Sequence, residues 1–311
     1  MRKKILSILI FVLLLNLTVI GYASEEDFND IHGHWAETTI KNWINLNLIN
    51  GYPDGTFKPN GQITKAEFIT LVNRIFGYNV KTEDNYKDIK EKDWYSSHTA
   101  IAKANGYMSW YNQEALIPNQ AITRQEVSAI LATIMKLKLS SDLTALENFT
   151  DGSTMPEWSK TYMDAIVSNG YMNGYPDKTV RAEGKITRAE SIVMLDRVMG
   201  RLINKTGTYG PLEGTETIES NVTVNVANTI LKNLIIEGDL VLAAGIGDGD
   251  VELSNIQVKG RTIINGGGEN SIKITGSQMG NVIVLKVGGK IRIVSKDSVI
   301  GQVAQNSPGR L

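Results

Sequence analysis

Cysteine is absent from all 311 residues, which removes disulfides, thiolate nucleophiles and Cys-ligated zinc together. Histidine is nearly absent as well, the whole supply being His32, His34 and His98. His32 and His34 stand one residue apart beside Asp30, but with no third ligand in view they read as surface polar groups, and no metal site is expected. An excess of positive charge is also missing. At a formal net charge of −1 no surplus of Lys and Arg exists to displace phosphate counterions, so nucleic acid is not an expected partner. Gly-rich phosphate loops, nucleophile elbows and His-Glu-x-x-His helices do not occur. The expectation is a protein without catalytic residues or cofactors.

What the chain does have is enough apolar residue, 42%, for two or three domains with cores of their own. It opens on Arg2-Lys3-Lys4, runs through an apolar stretch from Ile5 to Ile20, and reaches Gly21-Tyr22-Ala23 before the acidic Ser24-Glu25-Glu26-Asp27. That order of basic, apolar and small residues reads as a secretory signal peptide over 1–23, a retained membrane anchor being the rival. Cleavage would leave 29 basic against 33 acidic groups, a net charge of −4. The membrane is then met only through the signal peptide, and the mature protein is exported.

A repeat dominates residues 28–200. Trp35, Trp94 and Trp158 lie 59 and 64 residues apart, and Ile63, Ile122 and Ile186 repeat both spacings. Before each Trp comes an aromatic residue followed by Asp: Phe28 and Asp30, Tyr86 and Asp88, Phe149 and Asp151. After it comes a turn segment, Gly51-Tyr52-Pro53-Asp54-Gly55-Thr56-Phe57 in the first copy and Gly174-Tyr175-Pro176-Asp177-Lys178-Thr179-Val180 in the third. The second copy reads Trp110-Tyr111-Asn112-Gln113-Glu114-Ala115-Leu116 there and has lost the Pro-Asp-Gly turn. Such self-similarity marks modules, bounded at 28–78, 86–137 and 149–200. Each reads as helix, turn, helix. The first helix starts near the Trp, with Trp158, Tyr162, Ala165 and Ile166 on one face, and the second buries Phe68, Leu71, Val72, Ile75 and Phe76, or Val127, Ile130, Leu131, Ile134 and Met135.

The second helices open on Thr64-Lys65-Ala66-Glu67, Thr123-Arg124-Gln125-Glu126 and Thr187-Arg188-Ala189-Glu190. Thr with Glu three residues on is a capping box, in which each side chain satisfies a free amide of the other's residue. Stability accounts for Thr64, Thr123, Thr187, Glu67, Glu126 and Glu190. It does not account for Lys65, Arg124 and Arg188, which occupy the first helical position, where the helix dipole disfavours a cation. Placed beside exposed helix amides, they form a cradle suited to an anion; as lone residues they would read as solvated surface.

These motifs resemble the S-layer homology family: an aromatic-x-Asp start, a Trp near the first helix, Gly-Tyr-x-Asp-Gly-Thr-Phe, and Thr-Arg-Ala-Glu, covering about Phe28 to Gly200. The resemblance implies three modules packed as a pseudo-threefold, all-α unit. Its inter-module grooves would hold a secondary cell wall polysaccharide of Gram-positive bacteria, often pyruvylated. It places the anion on Lys65, Arg124 and Arg188, and offers Asp30, Asp88 and Asp151 as contacts to sugar hydroxyls or amides. Trp35, Trp94 and Trp158 could be sugar platforms, although an aromatic at one phase of every module is more often core. Lys65 departs from the family's Arg and offers a point charge in place of a planar fork, so its groove should bind differently. The groove built from residues 110–116 should be the empty one. Gly106 and Gly170 align with Asn47, a position suited to positive φ.

Beyond Lys205 the composition changes. The last 105 residues hold 17 of the 29 glycines and one aromatic, Tyr209. Residues 201–217 read as a linker and 218–311 as a Gly-rich β-repeat domain. Gly238, Gly260, Gly280 and Gly301 each precede a short β-branched run, at spacings of 22, 20 and 21. That period argues for a parallel β-solenoid with a narrow aliphatic core, a β-sandwich being the alternative. Asp248-Gly249-Asp250 could ligate calcium but reads more simply as a turn. The expected whole is a non-enzymatic cell-surface protein anchored to wall polysaccharide, with self-association through the C-terminal domain open. An anchored carbohydrate-active enzyme with its site on the solenoid and an S-layer lattice subunit are the alternatives.

Overall fold

A computed structural model describes residues 28–111, 113–269 and 271–305. The expected signal peptide at 1–23 and the last six residues of the β-repeat domain lie outside them. Each module contributes two helices: α1 (Glu37–Asn45) and α2 (Lys65–Phe76), α3 (Ser96–Ala104) and α4 (Arg124–Ile134), α5 (Glu157–Ser168) and α6 (Arg188–Met199). The second helices bury the expected faces, Phe68, Ile75, Val127 and Ile130 being wholly inaccessible. All three capping boxes form, with Thr64, Thr123 and Thr187 each accepting from the amide of its Glu and each Glu accepting in return. Asn47, Gly106 and Gly170 share the expected left-handed backbone, φ 56°, 71° and 70°.

The threefold arrangement is closed by a ring of main-chain bonds. The amide of Ile122 donates to Ile63 O (3.0 Å), that of Ile186 to Ile122 O (3.1 Å), and that of Ile63 to Ile186 O (3.3 Å). The residues whose spacing revealed the repeat are therefore its hub, and all three side chains are buried. Around them Trp43, Phe57, Phe68, Phe76, Tyr107 and Leu116 fill one continuous core.

The second half is a parallel β-solenoid of about five coils. Strands β1 (Arg201–Ile203), β4 (Val222–Val224), β6 (Leu240–Leu242), β8 (Thr262–Ile264), β11 (Val282–Val284) and β14 (Val303–Gln305) stack in one sheet. Strands β2 (Gly207–Tyr209), β3 (Glu216–Ile218), β5 (Thr229–Ile236), β7 (Val251–Val258), β9 (Ile272–Thr275), β10 (Gln278–Met279), β12 (Ile293–Lys296) and β13 (Val299–Ile300) form the other. Every strand pairing is parallel, which excludes the sandwich, whose sheets are antiparallel. The glycine period has a steric origin. A Cβ on Gly260 would meet Gly238 O at 2.5 Å, and one on Gly280 or Gly301 would meet the carbonyl of the preceding glycine at 2.8 Å.

The expected linker at 201–217 is not one. Strand β1 starts one residue beyond Gly200, which follows α6, and pairs with β4, while β2 and β3 pair with β5, so 201–217 is the first coil. Its Gly and Pro residues are corners of that coil, and the same residue types that loosen a linker turn a solenoid. The solenoid is fastened along the helical unit. Asn221 Nδ2 donates to Val198 O (2.8 Å) and to the Tyr171 hydroxyl (3.0 Å), and Thr223 Oγ1 donates to Met199 O (2.7 Å). Val241, Ala243 and Ile263, from the outer face of the first sheet, belong to the helical core.

Candidate functional site

The three cations sit where the sequence places them, at the first residue of α2, α4 and α6, and are nevertheless buried, with Lys65, Arg124 and Arg188 only 5%, 3% and 7% exposed. Each reaches into the following module. Arg124 Nε donates to Val180 O and its Nη2 to Asn173 O, both at 2.8 Å, while Nη1 lies 3.6 Å from Glu190 Oε1. Arg188 Nη2 donates to Asn50 O at 2.6 Å, and its guanidinium lies over Tyr52 and Phe57. Lys65 Nζ pairs with Glu126 Oε1 at 2.9 Å and lies over Tyr111.

The helix-start anion cradle inferred from the sequence is not formed. The amides of Lys65, Arg124 and Arg188 donate to Gln120 O, Gly184 O and Gly61 O, and those of Ala66, Gln125 and Ala189 to Pro118 O, Ala182 O and Pro59 O. Threefold closure consumes the amides that would have met an anion, and the cations compensate carbonyls beside the neighbouring module's turn and the capping-box carboxylates of Glu126 and Glu190. Burial pulls both guanidinium pKa values below their ordinary value, opposed by Tyr175 and Glu190 at Arg124 and by Tyr52 and Glu67 at Arg188. Both remain charged at any ordinary pH. Burial pulls Glu190 upward, but the hydrogen bonds from the Thr187 amide and the Tyr175 hydroxyl (2.7 Å), with Arg124 nearby, outweigh it and leave a net lowering.

The aspartates hold backbone inside the modules, Asp30 and Asp88 while remaining exposed. Asp30 accepts from the amides of Phe57 and Lys58, Asp88 from Leu116 and Ile117, and Asp151 from Val180 and Arg181. Their carboxylates clamp the turn, a role in holding the backbone that the sequence alone did not assign to them. The tryptophans go the other way. Trp35, Trp94 and Trp158 are 63%, 59% and 43% exposed, so the core reading fails and the platform reading keeps its geometry; the buried indole is Trp43, bonded to Asp196.

Exposed tryptophan and buried cation meet in one cleft of about 570 Å³. Trp35 and Asn60 of the first module form one wall, Gly174-Tyr175-Pro176 of the third forms another, and Arg124, Glu190 and Arg197 also line it. Two guanidinium groups lie over the Tyr175 ring there, Arg124 at 4.8 Å and Arg181 at 4.1 Å from its centroid. Arg197, on the outer side of α6, exposes its guanidinium to solvent and was missed in the sequence. A signal existed: Arg74 stands nine residues after Lys65 just as Arg197 stands nine after Arg188, although Arg74 is spent on Leu48 O. His34 and Asp248 are engaged within the protein. His34 contacts Asn60, Asp248 pairs with Lys286, and among the described residues no cluster of three His, Cys, Asp or Glu could hold a metal.

Comparison with known proteins matches residues 27–69, 85–128 and 148–190 to the S-layer homology domain. The Surface-layer 125 kDa protein of Lysinibacillus sphaericus is 28% identical over 210 residues, covering 67% of this chain and 17% of that protein. The Cellulosome-anchoring protein of Acetivibrio thermocellus is 28% identical over 188 residues, covering 57% of this chain and 39% of that protein. The Amylopullulanase of Thermoanaerobacterium thermosulfurigenes is 28% identical over 180 residues, covering 56% and 10%. The chain thus spans well under half the length of each of these relatives.

Proposed function

Because the chain belongs to the S-layer homology family, whose members act at the cell wall or surface, we propose that it is a non-enzymatic anchor held to the wall by a pyruvylated secondary polysaccharide. The cleft between the first and third modules carries this reading: it brings together in one lining an exposed indole, Trp35, a Tyr-Pro turn and the side chains of Arg124 and Arg197. A sugar ring has apolar faces that stack on indole, and a pyruvyl carboxylate calls for a charge-assisted partner. Arg197, exposed and on the rim, meets the carboxylate, while buried Arg124 holds the turn that shapes the cleft and adds positive potential from below. Enzyme names among the relatives attach to proteins that match through the S-layer homology region, so they add no catalytic residue to this chain.

Sedimentation of the full mature chain with purified wall tests the reading, since the packed solenoid argues against using the helical part alone. Arg197→Ala and Trp35→Ala should each weaken binding about tenfold, the equivalent of one charge-assisted hydrogen bond or one stacked ring. Binding should also fall as salt rises. Equal binding to wall stripped of pyruvyl groups, or wild-type binding by both variants, would sink the proposal. Arg124→Ala is a poorer probe because it also releases the carbonyls of 173 and 180.

A further inference from the structure

The three inter-module grooves are built from corresponding parts, and one differs. The Arg124 groove joins that cation to the Tyr175 turn and Trp35, drawn from modules two, three and one in turn. By the same rotation the Lys65 groove joins Lys65, the Tyr111 turn and Trp158. At the turn position where modules one and three have Gly51 and Gly174, module two has Trp110. Its ring lies flat on Trp158, with centroids 5.3 Å apart and planes 2° from parallel. Lys65 is already neutralised by Glu126 at 2.9 Å, and both side chains are largely shielded from water.

We infer that the Trp110–Trp158 stack shuts the Lys65 groove, so that this chain takes wall polysaccharide only in its other two inter-module grooves and Trp110 sets the number of sites. The inference rests on the wall-glycan reading. One face of the Trp158 indole, the face a sugar ring would share with it, is taken by a second indole, although the residue as a whole stays 43% exposed. A glycan entering there would have to separate the rings, which the Arg124 cleft does not demand; the cation is shielded and paired with a capping-box carboxylate in both, Lys65 with Glu126 and Arg124 with Glu190, so the stacked indoles make the difference.

The test counts bound fragments of pyruvylated wall polysaccharide by calorimetry on the full mature chain. Trp110→Gly, which restores the residue of the other two modules, should add one site. Trp110→Phe should leave the count unchanged, and Lys65→Ala should alter neither count nor affinity. Trp158→Ala opens the same space should Trp110→Gly fold poorly. A second readout needs no ligand: the stacked indoles should give a far-ultraviolet exciton couplet that both Trp110→Gly and Trp158→Ala abolish. Loss of a site in Lys65→Ala, three sites in the wild type, no added site in a folded Trp110→Gly, or no couplet would each overturn the inference. A wild type that binds no fragment while showing the couplet would instead overturn the glycan reading and leave the groove shut.

Discussion

Ile117 holds a left-handed backbone, φ 55°, a conformation that β-branched residues avoid at a cost of about 1–2 kcal/mol. Lys58 and Arg181 take the same angle in the other modules, φ 56° and 50°, so the turn and not the residue dictates it. Asp88 keeps it there by accepting from the Ile117 amide at 2.7 Å. Since the Ile117 side chain is 53% exposed, it returns little apolar burial for the strain. Ile117→Asn should therefore raise stability by about 0.5–1 kcal/mol, and Asp88→Ala should lower it by about 1–2 kcal/mol, both read from urea midpoints. Destabilisation by Ile117→Asn would mean that its exposed side chain contributes more than the strain costs. The residue scale is also where sequence reasoning was most often inverted. Lys65, Arg124 and Arg188 were legible as anomalies, because a cation at a helix start needs a reason. That reason lies in the neighbouring module, 56 residues away for Arg124 and 138 for Arg188, and local spacing does not encode it.

At the scale of elements, the Pro-Asp turns of modules one and three form a matched pair that module two lacks. Asp54 Oδ1 accepts from the Thr56 amide and hydroxyl and its carboxylate pairs with Lys58; Asp177 does the same with Thr179 and Arg181. Both carboxyls are held down to about 2, Asp54 chiefly by Lys58 and then Thr56, Asp177 chiefly by Thr179 and then Arg181. A folded pKa below the ordinary carboxylate value gives stabilisation that is complete above that value and fades as pH falls toward the lowered one. The Thr56 and Thr179 amide resonances should hence stay native at pH 4 and titrate with midpoints near 2, as followed by two-dimensional NMR. Midpoints near 4 would show that these turns are open in solution. The helices, capping boxes and faces were readable because each follows a local rule. The exposed Trp35, Trp94 and Trp158 were not, since a recurring aromatic looks alike whether it anchors a core or lines a groove.

For the whole molecule, the period of the glycines revealed a solenoid, but its attachment to the helices depends on buried polar contacts that composition does not show. Residues read as a flexible linker form a coil instead, and Asn221 lies at the junction, 6% exposed. Besides Val198 O and Tyr171, it serves the solenoid itself, its Oδ1 accepting from the Asp239 amide at 2.8 Å. Farther along, Arg261 Nη1 donates to Lys136 O at 2.8 Å, so the two halves touch at separate points of a shared core. Halves joined in this way should unfold together, giving one calorimetric transition for the chain. Asn221→Ala leaves a helix-end carbonyl and a tyrosine hydroxyl buried without their partner, which should cost about 2–4 kcal/mol and lower that transition by roughly 5–15 °C. Two separate transitions in the wild type, with the helical one unmoved by Asn221→Ala, would mean that the sheet rests against the helices without supporting them.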